Sequence, residues 1–237
     1  MKTLYIDCTN GVSGDMVLRA LCDLAGTAGE TAPLVKAHSH DHHHDHDHGH
    51  EHSHEHHGRS YEDVKSIIDS QEQYTAKARQ TARDIYAVIA KAEAGVHGMT
   101  LETVHFHEVG RDQAIANALG IGAALDIISP DRILASKIND GSGFVDCAHG
   151  RIPVPVPAVQ AMMDECGKTY PALKFGTCAD VETEMVTPSG LAAVIGIGAV
   201  PADSGMMFME GQLTAETEAR GTRDTGRGGL RMYIIET

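Results

Sequence analysis

Apolar and polar positions alternate along this chain with two periods, and the change from one to the other marks the elements. Thr3 to Cys8 is a short apolar run that reads as a strand, followed by the turn-rich Asn10-Gly11-Val12-Ser13-Gly14 and a helical stretch from Met16 to Leu24. Val64, Ile67 and Ile68 stand at helical spacing behind the capping pair Ser60 and Asp63. A longer helix is predicted over Ala76 to Ala94, with Ala78, Ala82, Ile85, Ile89 and Ala92 on one stripe and Gly95 as its stop. A further helix runs from Asp112 to Asp126, where Gly120 and Gly122 point to close packing against another element.

The second half reads as shorter pieces. Ile133 to Ile138 and Phe144 to Cys147 are predicted strands, and Arg151 to Pro157 must run extended because alternate prolines remove backbone donors. Pro157 opens a helix to about Glu165, Ala172 to Gly176 is a brief strand, and Thr187 caps a helix from Pro188 to about Ile197. Leu230 to Ile235 is the last strand. These elements predict a mixed α/β fold: one domain over 1–237, with a central mixed sheet from strands at both ends and the middle, flanked by four to six helices.

Composition changes the picture at one place. His38 to His57 contains twelve histidines, five acids, two serines and a glycine, with nothing apolar. Such a segment buries too little surface to offset its ordering entropy, so a disordered metal-binding loop is expected. It is internal and interleaved with acids, unlike a purification tag. His42, His44, His46, His48, His50, His52 and His54 are its candidate ligands. Imidazole suits nickel, zinc and copper rather than magnesium or calcium, and composition does not choose among the three.

Elsewhere composition mostly excludes. The net charge of −14 disfavours a nucleic-acid binder that needs a basic face. Five cysteines with no Cys-x-x-Cys point away from a disulfide framework or zinc ribbon and towards a reducing compartment. No apolar run approaches a membrane span and no signal-peptide core stands at the start, so a soluble cytoplasmic protein is expected, and a homo-oligomer is compatible with the sequence. Without tryptophan, and with 4% aromatic residues, the core falls to aliphatic residues and the ten methionines.

Chemistry concentrates in three stretches. In Val104-His105-Phe106-His107-Glu108-Val109-Gly110 an extended backbone puts His105 and His107 on one face and Val104 and Phe106 on the other. The two imidazoles form a two-toothed ligand, and Glu108 supplies an oxygen or orients one ring; the plain alternative is a strand with solvated histidines. In the first glycine turn, Gly11, Ser13 and Gly14 could present helix-start N–H groups to phosphate or carboxylate, with Asp7 and Asp15 holding a hydrated cation beside them. Ordinary capping by Ser13 explains the same residues. Thr187 and Ser189 make a second anion cradle or a simple cap, and Arg223, Arg227 and Arg231 are phosphate contacts or surface charges. Cys147 and His149 stand at metal-ligand spacing, although a buried structural cysteine is the better reading.

Taken together, these stretches resemble the LarC family, the nickel insertion proteins of nickel-pincer nucleotide cofactor biosynthesis. The matching blocks are Tyr5 to Met16, the His tract with Gly58-Arg59-Ser60, Ala92 to Gly98 before Val104 to Gly110, Gly141 to Ala158, Glu184 to Gly190 and Gly221 to Asp224, in the family's order. The resemblance implies nickel delivery into a pyridinium bisthiocarboxylic acid mononucleotide, with CTP hydrolysis coupled to forming a carbon–nickel bond. It implies a CTP-dependent nickel chelatase or cyclometallase, a lyase, with CTP and Mg2+ or Mn2+ held by a C-terminal domain that would here be a separately encoded partner. This chain departs from the family at Gln113-Ala114-Ile115 and Asn117, where the family carries Asp-Ser-Ile and a second Asp, and at Thr217 to Arg220, where the family is glycine-rich. The amides remove charge that a divalent ion favours. Two other functions stay open on the residues alone: a nickel store or chaperone without turnover, and a magnesium-dependent phosphate-ester hydrolase using Asp7 and Asp15.

Overall fold

The computed structural model describes residues 1–27, 58–107, 109–147, 150–203 and 211–237. The His tract, Glu108 and His149 lie outside the described residues. Five strands form the central mixed sheet, in the order β10 (Gln212–Ala219), β11 (Leu230–Glu236), β1 (Lys2–Asp7), β4 (Arg132–Ala135), β9 (Val200–Pro201). β11 lies antiparallel to both β10 and β1, while β4 runs parallel to β1 and β9. The two ends of the chain therefore meet in the middle of the sheet.

Alternation decides which face carries the helices. Leu4, Ile6, Met232 and Ile234 point to one side and join the main core with α1 (Gly14–Leu24), α3 (Ala76–His97), α4 (Asp112–Ile128) and α6 (Pro188–Gly196). Tyr5, Leu134 and Ile235 point to the other side and form a small cluster with no helical member among the described residues. α2 (Tyr61–Asp69) and α5 (Pro157–Glu165) complete the six helices of the described residues, both packing against α3. α3 and α4 approach closely enough that a Cβ on Gly122 would stand 2.4 Å from the Ala78 carbonyl oxygen. That is the close packing its glycine predicts.

Three local expectations change. Gly95 does not end α3; the helix continues to His97 and stops at Gly98, whose φ of +63° is the left-handed cap. The run Ile133 to Ile138 is two strands. Ser136 Oγ accepts from Cys8 N at 2.8 Å and the chain leaves the sheet there, so β5 (Ile138–Asp140) pairs instead with β8 (Phe175–Thr177). Third, β6 (Phe144–Cys147) and β7 (Gly150–Pro153) form an antiparallel hairpin in which Cys147 is exposed rather than buried.

Candidate functional site

Four helices begin at one cavity of about 710 Å3. Its wall includes Ser13 to Asp15 at the start of α1, Gln113 and Ala114 at α4, Pro157 and Ala158 at α5, and Thr187 to Ser189 at α6. The first amides of a helix lack intrahelical partners and carry its positive dipole end, so their convergence favours anions. The α1 and α6 starts are capped by their own hydroxyls: Ser13 Oγ accepts from Met16 N at 3.3 Å and Thr187 Oγ1 from Gly190 N at 3.2 Å. The α4 and α5 starts have no side-chain cap.

The first and last of these helices are 174 residues apart in sequence by their first residues, and a short backbone zip brings them together. Val12 N donates to the Met185 carbonyl at 2.9 Å and Thr187 N donates to the Val12 carbonyl at 3.0 Å. Glycine is required on both sides of that seam: a Cβ on Gly11, at φ +87°, would lie 2.3 Å from Met185 O, and one on Gly190 would lie 2.4 Å from Val12 O. Behind the seam, Asp140 Oδ1 accepts from Gly141 N, Met185 N and Val186 N at 2.8, 2.8 and 3.0 Å. Burial holds this carboxyl above the ordinary carboxylate range, against the pull of those three donors.

Across the cavity stands the imidazole rim. β3 (His105–Phe106) pairs with β2 (Arg59–Ser60), which follows the His tract, with Ser60 opposite His105. Val104 and Phe106 are buried while His105 and His107 are exposed, as the period-2 pattern predicts. Phe106 sits between Tyr61 and Tyr86, at ring centroid distances of 6.2 and 5.9 Å. His105 Nδ1 lies 2.6 Å from the Thr103 carbonyl. A carbonyl only accepts, so Nδ1 is the donor there, and in the neutral ring it is Nε2 that carries the lone pair. The turn beyond is tied down by Tyr86 Oη donating to Val109 O at 2.7 Å and by Arg59, which reaches Gly110 O at 2.9 Å and Asp112 Oδ1 at 2.5 Å.

A sequence profile of the nickel insertion protein family matches residues 4–228, from the first strand through every residue named on this cavity. The chain belongs to the nickel insertion protein family. It is 35% identical to the pyridinium-3,5-bisthiocarboxylic acid mononucleotide nickel insertion protein of Acetivibrio thermocellus, over 82% of this chain and 51% of that protein. It is 36% identical to the protein of the same name from Lactiplantibacillus plantarum, over 82% of this chain and 52% of the relative. A putative nickel insertion protein of Methanosarcina mazei is 33% identical over the whole chain and 60% of its own length. The chain thus spans about half the length of the first two relatives. No solved structure matches it significantly.

Within this member of the nickel insertion family, Ser13, Gly14, Asp15, His105, His107, Thr187, Ser189 and Arg223 line the one cavity. Gly11 does not; it lies in the seam against Met185. Asp7 does not reach the cavity either. Its carboxylate accepts from Arg231 at 2.7 Å and from Thr9 Oγ1 and N at 2.6 and 3.1 Å, so the structure does not bring Asp7 and Asp15 together on it. Asp15 is instead joined to α4, with Asn117 Nδ2 donating to its Oδ1 at 2.5 Å and Gln113 donating to Asn117 at 2.9 Å.

Sequence reasoning missed one wall residue that carries chemistry, His97, and read a second, Cys147, as a buried structural cysteine. His97, in the last turn of α3, has Nε2 3.4 Å from Glu93 Oε2, and both face the cavity. The i,i+4 spacing just upstream of the histidine strand was the available signal. Cys147 faces the cavity from the hairpin. Among the described residues, no three His, Cys, Asp or Glu side chains stand close enough to enclose a metal ion. The described wall therefore holds no complete set of metal ligands.

No helix among the described residues is long and apolar enough to cross a membrane.

Proposed function

We propose that this chain inserts nickel into pyridinium-3,5-bisthiocarboxylic acid mononucleotide, as the metal-handling component of a chelatase that works together with a LarC-like C-terminal partner domain. The observation that carries the reading is the meeting of an imidazole rim and four helix starts on one cavity. The substrate in the relatives' name has two thiocarboxylates and a phosphate. Helix starts favour anions, and Ser13, Gly14, Thr187, Ser189 and Arg223 are the residues we assign to the substrate's anionic groups within this cavity.

Nickel is cargo in this reading, so the site must hold it and then release it. His105 and His107, with Glu108 adding an oxygen, offer exchangeable nitrogen and oxygen ligands, and the two substrate sulfurs complete the shell. A closed thiolate cage would retain the ion. The histidines His42 to His54 collect nickel, and the pairing of Arg59–Ser60 with His105–Phe106 supports transfer by tying the residue two beyond the tract to the rim. Asp15 faces the cationic ring, Asp7 acts only as scaffold through Arg231, and CTP with Mg2+ or Mn2+ in the partner half drives the reaction.

A second reading, a nickel store or chaperone without turnover, is favoured by one observation. Gln113 and Asn117 place amides beside Asp15, where carboxylates would hold a divalent ion. Nickel titration of the chain lacking His38 to His57 separates the two. The insertion reading expects one retained site that is lost on His107→Ala, and nickel insertion into the mononucleotide when a relative's C-terminal half and CTP are added. Loss of all nickel binding with the tract would overturn it in favour of storage.

A further inference from the structure

We propose that the phosphate of the mononucleotide passes the neck at Arg223 and is received in a second, smaller chamber by Arg227 and Arg220. This rests on the substrate assigned above and fixes which way round that substrate lies.

The second chamber, about 390 Å3, shares Ser13, Glu184, Thr187, Gly221, Thr222 and Arg223 with the main cavity, so the two lie on either side of that wall. Their linings differ in make-up. Around the main cavity four carboxylates, Asp15, Glu93, Asp146 and Glu184, face two guanidiniums, Arg111 and Arg223. Around the second chamber three guanidiniums, Arg220, Arg223 and Arg227, face two carboxylates, Glu184 and Asp224. One of those acids is engaged locally, because Asp224 Oδ1 accepts from Gly226 N at 2.9 Å. A cluster of arginine in a chain with 19 basic and 33 acidic residues runs against its overall charge.

Each guanidinium is oriented by one carboxylate. Arg227 Nη2 donates to both oxygens of Asp180 at 2.7 Å, Arg220 Nε to Glu218 at 2.9 Å, and Arg223 Nη2 meets Glu184 at 2.8 Å. Asp180 and Glu218 do not line the chamber, so they brace their arginines from outside it. Guanidinium has five N–H donors in a planar fork, more than one carboxylate engages, and that fork suits phosphate as well as carboxylate. The hydroxyl residues Thr222 and Thr225 stand on the same loop. A dianionic phosphate is therefore favoured behind Arg223, whereas the cationic ring and the nickel are favoured in the acid-walled cavity facing His105 and His107.

Equilibrium binding of the full chain to the mononucleotide and to its dephosphorylated nucleoside tests the assignment. Wild type is expected to prefer the nucleotide by about tenfold or more, the scale of one hydrogen bond between charged groups. The double variant Arg220→Gln/Arg227→Gln should lose that preference, and Arg227→Lys should recover part of it, with thermal unfolding confirming that each variant is folded. A double variant that keeps the full preference, or a wild type that binds both ligands equally, overturns the phosphate chamber and leaves the substrate assignment standing. Binding of neither ligand removes the substrate assignment and this inference with it.

Discussion

Asn117 donates its side-chain amide to the Asp15 carboxylate at 2.5 Å, while its own carbonyl accepts from Gln113. The contact crosses from α4 to α1 on the wall of the cavity, where the amide supplies the positive hydrogens a cation would otherwise provide. Asn117→Asp would set two carboxylates at hydrogen-bonding distance with no proton between them. The variant should lose about 1–3 kcal/mol of stability in chelator-treated buffer near neutral pH. Millimolar Mg2+ or Mn2+ should restore it, because a bound ion stabilises the state that binds it. Thermal unfolding with and without the ion is the measurement; equal loss in both would show that the acidic wall does not recruit cations.

Gly11 carries a different burden. Its φ of +87° and the 2.3 Å approach of a Cβ to the Met185 carbonyl combine left-handed strain with a backbone collision in the seam joining the α1 and α6 starts. Gly11→Ala should destabilise by at least about 2 kcal/mol, or roughly 4–8 °C for a chain of this size. Gly26 is the control, having φ +72° and open space around its Cβ. Gly26→Ala should cost only the conformational part, about 1 kcal/mol.

How much of this could be read from the chain varies with how strongly packing imprints the pattern. The α3 stripe was legible because Ala78, Ala82, Ile85, Ile89 and Ala92 all point into the core. β10 was not, since Gln212 to Glu218 remain mostly exposed on an edge strand and alternation leaves little trace there. Gly95 misled because a helical glycine in open space and a stopping glycine look alike in sequence; only the backbone of Gly98 distinguishes them. In the site, the alternation of His105 and His107 with buried neighbours was local and readable. The zip between Val12 and Met185 to Thr187 was not, because nothing local to either segment encodes its partner. The family resemblance supplied both segments as motifs, and folding supplied their contact.

Asp140 gives a pH signature. Burial raises its carboxyl, with backbone donors from Met185, Gly141 and Val186 opposing. The folded chain thus keeps the proton to higher pH than the unfolded chain does. The contribution to stability is full below the ordinary carboxylate range and is lost as pH rises through the folded-state value. Asp140→Asn can still accept at the oxygen but has no proton to lose, so any offset it introduces is independent of pH. Urea unfolding from about pH 3.5 to about pH 7 should show the variant gaining on wild type as pH rises. Parallel curves would mean that Asp140 titrates alike in both states.

The cysteines allow the cavity to be probed directly. Cys147 is exposed on the hairpin and lines the main cavity, whereas Cys8 and Cys178 are buried. Burial, and secondarily the charge of Asp7, pushes the Cys8 thiol far above its ordinary value, and burial also raises Cys22 and Cys166. Because the thiolate is the reactive form and must be reached, a thiol-specific reagent under native conditions should modify Cys147 first. Mass spectrometry should find one rapid modification per chain, absent from Cys147→Ser. If the mononucleotide occupies the cavity as proposed, it should slow that modification, while the nucleoside, which keeps the ring in the main cavity that Cys147 lines, should slow it too wherever it binds. Protection by the nucleotide's phosphate alone, tested with inorganic phosphate, would place the anion against the hairpin and reverse the orientation assigned to the substrate.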